Sequence, residues 1–246
     1  MKNSDIRRER PPRKSSFLKR IFVFLVVIVM IAGAGAAAGF FVSVSKHLPD
    51  VTANIQPNAS SRIYDDKGRL ITTVHAEENR IPVPITEVPQ NLQNAFVAAE
   101  DVRFYEHHGI DPRGILRAVW NNVLSRNATG QGGSTITQQL ARNAFLTQEQ
   151  TLKRKLLEVV LALQIENKYT KKQILEMYMN QIYFGQGCYG IQTASRVYFG
   201  KDVKDLTLPQ CAMLAGLPNS PNYYSPFRSL EAAKYRQGIV LDQMAK

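Results

Sequence analysis

Acids in costly places are the first chemical signal in this sequence. Glu100 and Asp101, in AAEDVRFYEHHGID, follow the apolar run Phe96, Val97, Ala98 and Ala99 at what reads as a helix C-terminus. There a carboxylate faces the negative end of the helix dipole, at a cost of up to roughly 1 kcal/mol. The apolar approach also disfavours charge on Glu100, so both effects raise its pKa toward a value that suits a general base or acid. An exposed acidic pair at a helix end is the plainer alternative. Glu158 is the second such acid. It interrupts LLEVVLAL, with Arg154 and Lys155 four and three residues earlier on the same helical face. Surface ion pairing would explain the trio, but a helix this apolar has little solvated surface, and an anionic ligand explains the cations better.

Between the two acids lies GGSTITQQLARN, residues 132–143. Ser134 or Thr135 can cap a helix whose free N–H groups and positive dipole suit an anion. Gly132 and Gly133 let a ligand approach the backbone. Gln138, Gln139, Arg142 and Asn143 occupy the face away from Ile136 and Leu140. Capping alone explains the hydroxyls, not the long amides and the arginine. No Walker lysine stands in register, so a nucleotide loop does not follow. A serine nucleophile is disfavoured because Ser134 has no nearby base. His107 and His108 are adjacent and lack a third ligand at useful spacing, so they read as structural or substrate-facing turn residues rather than a metal site. Cys188 and Cys211 are too few for a disulfide framework or a zinc site. Two unpaired, partly buried thiols are the simple reading, and a disulfide outside the membrane the other.

These residues need elements to hold them. Leu92, Phe96 and Ala99 share one face of a helix ending near Glu100 and Asp101. Asp111-Pro112 starts another, with Ile115, Val119 and Trp120 inside. A helix from Ser134 buries Ile136, Leu140, Ala144 and Phe145, and a further one covers roughly 150–167. Thr170 with Gln173 and Thr207 with Gln210 form capping boxes, the second helix closing at Gly216 and Pro218. The first carries Ile174, Leu175, Tyr178 and Ile182. Before all of these, RIYDDKGRLITTV reads as two short strands about a turn, and residues 81–90, with three prolines, as extended connector. Residues 125–133 are polar and glycine-rich, a mobile loop. The domain is mainly α-helical.

The chain has 246 residues and a formal net charge of +11, much of it local. Residues 1–20 carry eight basic side chains against Asp5 and Glu9. Such a tail alone would suit nucleic acid, but the charge-free stretch 21–45 decides otherwise. Its length as a helix is roughly 37 Å, enough to cross a hydrocarbon core. The basic flank puts the N-terminus in the cytoplasm and the rest outside. Small residues at 34–39 permit a cleaved signal peptide, but the apolar run resumes with Phe40, Phe41 and Val42, which favours a retained anchor. Gly35 and Gly39 form a weak helix-packing signal. The expected order is a cytoplasmic tail (1–20), a membrane helix (21–45), a stalk (46–61) and a domain (62–246). The last residues stop inside what reads as another helix, so a longer natural protein is one expectation.

Taken in order, EDVRFYEHHGID (100–111), GGSTITQQLARN (132–143), RKLLE (154–158), KKQILEMYMNQIYFG (171–185) and AGLPNSPNYYSPF (215–227) resemble the signatures of the peptidoglycan glycosyltransferases, glycosyltransferase family 51. These occur as monofunctional enzymes and as the first domain of class A penicillin-binding proteins. The resemblance implies a lysozyme-like helical fold and polymerisation of lipid II, a disaccharide-pentapeptide on undecaprenyl diphosphate, with inversion and release of the lipid diphosphate. It implies Glu100 as the base for the acceptor hydroxyl and Glu158 as the second essential carboxylate, near the diphosphate with Arg154 and Lys155. Asp101, Phe104, Ser134, Thr135, Gln138, Gln139 and Arg142 would bind substrate. No cofactor is required by the sequence, and a divalent cation (Mg or Mn) at the diphosphate is compatible with it. Lipid II, the nascent glycan strand, the membrane and other cell-wall synthesis proteins are the expected partners, and nucleic acid is not. Arg142 stands where other members have lysine, which keeps charge and changes geometry. Gln150 stands where many have arginine. The transpeptidase SxxK motif is not found after residue 227. A lysozyme-like hydrolase and a non-catalytic cell-wall scaffold are the rival functions.

Overall fold

The computed structural model describes residues 15–45, 51, 61–67, 70–74, 79–124, 132–146 and 151–246. The chain divides into two units, Met1–Leu48 and Pro49–Lys246, each described by itself. In the first, helix α1 runs from Ser15 to Ser45. The apolar side chains from Ile21 to Ile31 are exposed, and no polar face interrupts that run. Among the described residues no helix is long and apolar enough to cross a membrane. Within α1 the side chains described without a break run only from Arg20 to Gly33, so much of the expected span lies outside them. The tail 1–14 and most of the stalk (46–50, 52–60) also lie outside the described residues.

The second unit opens with an antiparallel pair, β1 (Ser61–Tyr64) and β2 (Leu70–Val74), as the alternation around Asp65 predicts. Lys67 N–H donates to Asp65 Oδ1 at 3.0 Å and starts the turn. β3 (Asn79–Arg80) pairs in parallel with β4 (Cys188–Tyr189). At two residues each, these strands are too short to show a period in sequence. The proline-rich connector is extended at 81–84 and then takes a single 3₁₀ turn, Ile85–Glu87. It is held by Asn180, whose amide pairs with both the N–H and the C=O of Val83 (3.0 and 2.8 Å).

Helices make up the rest: α2 (Gln90–Glu100), α3 (Pro112–Leu124), α4 (Ile136–Phe145), α5 (Leu152–Lys168), α6 (Lys171–Gln181), α7 (Ile191–Phe199), α8 (Leu208–Gly216) and α9 (Leu230–Met244). Both predicted capping boxes are present, at Thr170 and Thr207. α2 lies against α8 and α9, whereas α4 lies against α5 and α6. Phe96 of α2 joins the two groups, meeting the Tyr178 ring of α6 edge to face at 6.1 Å. Both rings are fully buried, and each such burial contributes on the order of 1.5–3 kcal/mol. Leu92, Phe96 and Ala99 face inward as their spacing requires. Val51, a stalk residue by sequence, is also buried, its carbonyl accepting from Lys168 Nζ and the Tyr169 hydroxyl at 3.3 Å each.

Two sequence expectations fail on α3 and α4. Ile115 and Trp120 were expected inside, yet they are 40% and 67% exposed, beside Leu116 at 70%. The side chain of Val119, the third residue expected inside, lies outside the described residues. The α4 helix begins at Ile136 rather than Ser134, and only half of the expected apolar set is enclosed: Ile136 and Leu140 are buried, Ala144 and Phe145 half-buried.

Candidate functional site

Glu100 is the last residue of α2, half-buried beside the buried Phe96 and Ala99 of that helix. Its Oε2 accepts from Gln139 Nε2 of α4 at 2.9 Å. Its Oε1 is inaccessible to solvent and has no hydrogen-bond partner among the described residues. Burial pushes its pKa above the ordinary glutamate range. The Gln139 hydrogen bond and the charges of Arg236 and Arg142 oppose the rise, and Asp101 adds to it. A carboxyl with one oxygen held and one free, biased toward accepting a proton, is equipped as a general base.

Glu100 forms the wall of an open cavity of about 250 Å³, shared with Ser134, Gln139, Arg142, Arg117 and Asn219. Arg117 of α3 and Asn219 were not found by sequence reasoning. Arg117 sits one turn along α3 from Arg113 on a solvated face, where an arginine carries no distinguishing signal. The glycines of GGSTITQQLARN, Gly132 and Gly133, also line the cavity. The loop residues 125–131, with which the expected mobile loop begins, lie outside the described residues.

The N-terminus of α4 is not the open anion site expected of it. Asp101 reaches across from the end of α2 and accepts from the Ile136 N–H, the first of the helix, at 3.0 Å. Both Asp101 oxygens also accept from His107 Nε2 (3.0 and 2.9 Å), and the residue is buried. Thr135 and Gln138 complete a capping box: the Gln138 N–H donates to Thr135 Oγ1 and the Thr135 N–H to Gln138 Oε1, each at 3.1 Å. The Thr135 hydroxyl donates to the Gly109 carbonyl at 2.7 Å. Gly109 has φ +83°, and a Cβ there would come within 2.9 Å of the Ala162 carbonyl, so the close approach of this turn to α5 requires glycine. Asp101, Thr135 and Gln138 therefore lock the turn 101–110 to α4. Gln138 is buried and does not line the cavity, which corrects its placement on the outer polar face. Phe104 likewise turns inward: it is fully buried, with Lys171 Nζ over its ring at 4.5 Å, so it anchors the turn.

Glu158 lies on α5 and is buried. Its Oε1 accepts from Arg154 Nη1, and its Oε2 from Lys155 Nζ at 2.9 Å. Lys155 Nζ also donates to Ser134 Oγ at 2.7 Å, which brings the trio to the cavity's rim. Both oxygens are thus committed to cations. Glu158 holds positive charge in place and has no free oxygen for proton transfer.

The remaining carboxylate on the cavity wall, Asp111, is also engaged. It accepts from the Gly114 N–H at 3.0 Å and pairs with Arg103. Burial raises its pKa, but Gly114 and Arg103 together bring it below the ordinary aspartate value. Among the described residues no group of three or more His, Cys, Asp and Glu is placed to hold a metal. Both cysteines are free and buried, and burial pushes the Cys211 thiol up to about 11.

A family model described as Transglycosylase matches residues 67–245. The chain is 45% identical over 227 residues to penicillin-binding protein 1A of Escherichia coli (strain K12), covering 92% of this chain and 26% of that one. It is 42% identical to penicillin-binding protein 1F of Bacillus subtilis (strain 168), covering 92% and 31%. To penicillin-binding protein 1A of Haemophilus influenzae (strain ATCC 51907 / DSM 11121 / KW20 / Rd) it is 50% identical over 183 residues, covering 74% and 21%. The chain thus spans less than a third of the length of these relatives.

Proposed function

The chain belongs to the transglycosylase family, and on that premise we propose that it is a peptidoglycan glycosyltransferase that polymerises lipid II. One observation carries the catalytic assignment. Glu100 combines a held oxygen, a free oxygen and a raised pKa on the wall of a cavity that also holds Arg142, Arg117 and Ser134. In this reading the Glu100 carboxylate takes the proton from the 4-hydroxyl of the acceptor GlcNAc as that oxygen bonds to C1 of the donor MurNAc. The C1–O bond to the lipid diphosphate breaks with inversion, and the electron pair leaves with the diphosphate. Negative charge grows there, so fixed cations stabilise the transition state more than the ground state. Arg142 on the cavity wall, and Lys155 held at its rim by Glu158 and Ser134, are those cations.

Gln139 is assigned to the base rather than to the donor sugar, because its amide nitrogen is taken by Glu100. Asp101 and Thr135 line the cavity as well as brace its wall, whereas Gln138 supports it from behind. A divalent cation would be held at the diphosphate itself, since among the described residues no group of three or more His, Cys, Asp and Glu is placed to hold one. No step is routed through one.

A lipid-linked substrate calls for a site at the bilayer. The charge-free stretch 21–45 supports α1 as a single membrane span with the N-terminus in the cytoplasm. The exposed Leu116 and Trp120 of α3 support a domain face that meets lipid. The lysozyme-like arrangement of the domain belongs to the same reading.

Incubating the protein with lipid II tests it. Long glycan strands are expected, with one lipid diphosphate released per bond formed. Cleavage of preformed strands without polymer would make it a hydrolase, and no turnover of either substrate would make it a scaffold.

A further inference from the structure

The base does not stand alone. Tyr178, on α6, is fully buried, and its hydroxyl donates to Gln139 Oε1 at 3.1 Å. The same amide donates through Nε2 to Glu100 Oε2 at 2.9 Å. The three side chains form one directed chain, from phenol O–H to amide carbonyl and from amide N–H to carboxylate.

We infer that Tyr178 is a positioning residue for catalysis: its hydroxyl locks the Gln139 amide with its nitrogen toward Glu100, which holds Oε2 and fixes the carboxylate for proton transfer. The inference rests on Glu100 being the base. An ionised carboxylate only accepts, so it requires the amide nitrogen on its side. A flipped amide would set its oxygen against Glu100 and its nitrogen against the phenol, whose hydrogen has no other acceptor among the described residues. A buried O–H without a partner is costly, so the tyrosine selects one amide orientation. Donation to the amide oxygen also polarises the amide and strengthens its N–H as a donor to the carboxylate. Burial, with Glu100 next, pushes the Tyr178 pKa well above the ordinary phenol value, so it stays a donor across the working range of pH.

The charged groups facing Glu100 are Arg142 from α4, Arg236 from α9 and Asp101 beside it. None of them touches Gln139 Oε1 in a hydrogen bond. The tyrosine therefore acts on Glu100 by a route that charge does not duplicate. In sequence Tyr178 is one more apolar-face residue of KKQILEMYMNQIYFG, and its contact with Phe96 alone would mark it as core.

The test is the pH dependence of lipid II polymerisation in the full chain for wild type, Tyr178→Phe, Gln139→Met and the double variant. Tyr178→Phe keeps the ring and removes one oxygen. Its acid limb is expected to move up by about 0.3–1 pH unit, a roughly 2- to 10-fold loss of rate on that limb. The loss should appear in kcat with KM little changed. Gln139→Met should move the limb the same way, and the double variant no further than Gln139→Met alone. Phe96→Leu, which alters packing against the same ring without a hydrogen bond, should lower Tm and leave the limb in place. An unmoved limb in Tyr178→Phe, or additive shifts in the double variant, overturns the inference. An acid limb that persists in Glu100→Gln overturns the base assignment instead, and the inference falls with it.

Discussion

Glu100 and Glu158 are two acids drawn into one helical unit, and they are equipped for opposite work. Glu158 meets two cations, one on each oxygen, and its charge is matched on the spot. Among the described residues Glu100 meets one neutral amide on one oxygen and no hydrogen-bond partner on the other, while Arg142 and Arg236 act only at a distance. Burial by itself therefore does not mark a catalytic acid. What separates them is commitment: the fully paired acid is a scaffold for its cations, and the under-partnered one keeps a site for a proton.

The sharpest break of this comparison is in activity. Glu100→Gln keeps shape and hydrogen bonding and removes the base, so polymerisation should fall by about 10²- to 10⁴-fold, measured as glycan product from lipid II. The next effect is on stability. Glu158→Gln leaves Arg154 and Lys155 without their anion, and loss of one partner of a buried pair costs about 3–5 kcal/mol. Lys155 is 43% exposed on its side chain, so solvent recovers part of this and the lower end is expected in denaturant unfolding. A loss near zero would mean that the trio is a surface feature.

Glu100→Gln should act in the reverse direction on the fold. Burial raises the pKa of Glu100, so the native state holds that proton more tightly than the unfolded chain does. Stability from this group is fully present below the unfolded pKa and is lost as pH rises through the folded value. The glutamine has no such loss. The variant should be at least as stable as wild type at neutral pH, with the difference vanishing in acid, by thermal melts at both pH values. A variant less stable at neutral pH would show that the carboxylate is well solvated. The smallest effect belongs to Leu116→Ser on the exposed face of α3. Its stability should change by less than about 0.5 kcal/mol, while binding to phospholipid vesicles by the unit from residue 49 onward weakens. Unchanged vesicle binding would remove α3 from the lipid-facing surface.

The contrast between the two acids was half legible in the sequence. An acid after Phe96-Val97-Ala98-Ala99 at a helix end announces burial, and α2 ends at Glu100 as that pattern requires. Local signals served equally well at Thr170 and Thr207, where a cap and its partner lie three residues apart. The same device spans Thr135 and Gln138, and reading it would have turned Gln138 inward instead of toward a ligand. What crosses the chain left no such mark. Asp101 meets the Ile136 N–H across 35 positions, and Gln139 meets both Glu100 and Tyr178 across 39. Arg236 stands in a different helix altogether. Such pairs follow from how helices pack, and an amphipathic stripe states only that a face is buried. The α3 stripe shows the converse error, since its apolar face was assigned to the core and stands exposed at Ile115 and Trp120.

The proton on Glu100 is the centre of the account, and the acid limb of the polymerisation rate reports it most directly. The rate should rise with pH through a single ionisation above the ordinary glutamate range, and the residual activity of Glu100→Gln should lack that limb. A limb that survives in Glu100→Gln would contradict the assignment of Glu100 as the base.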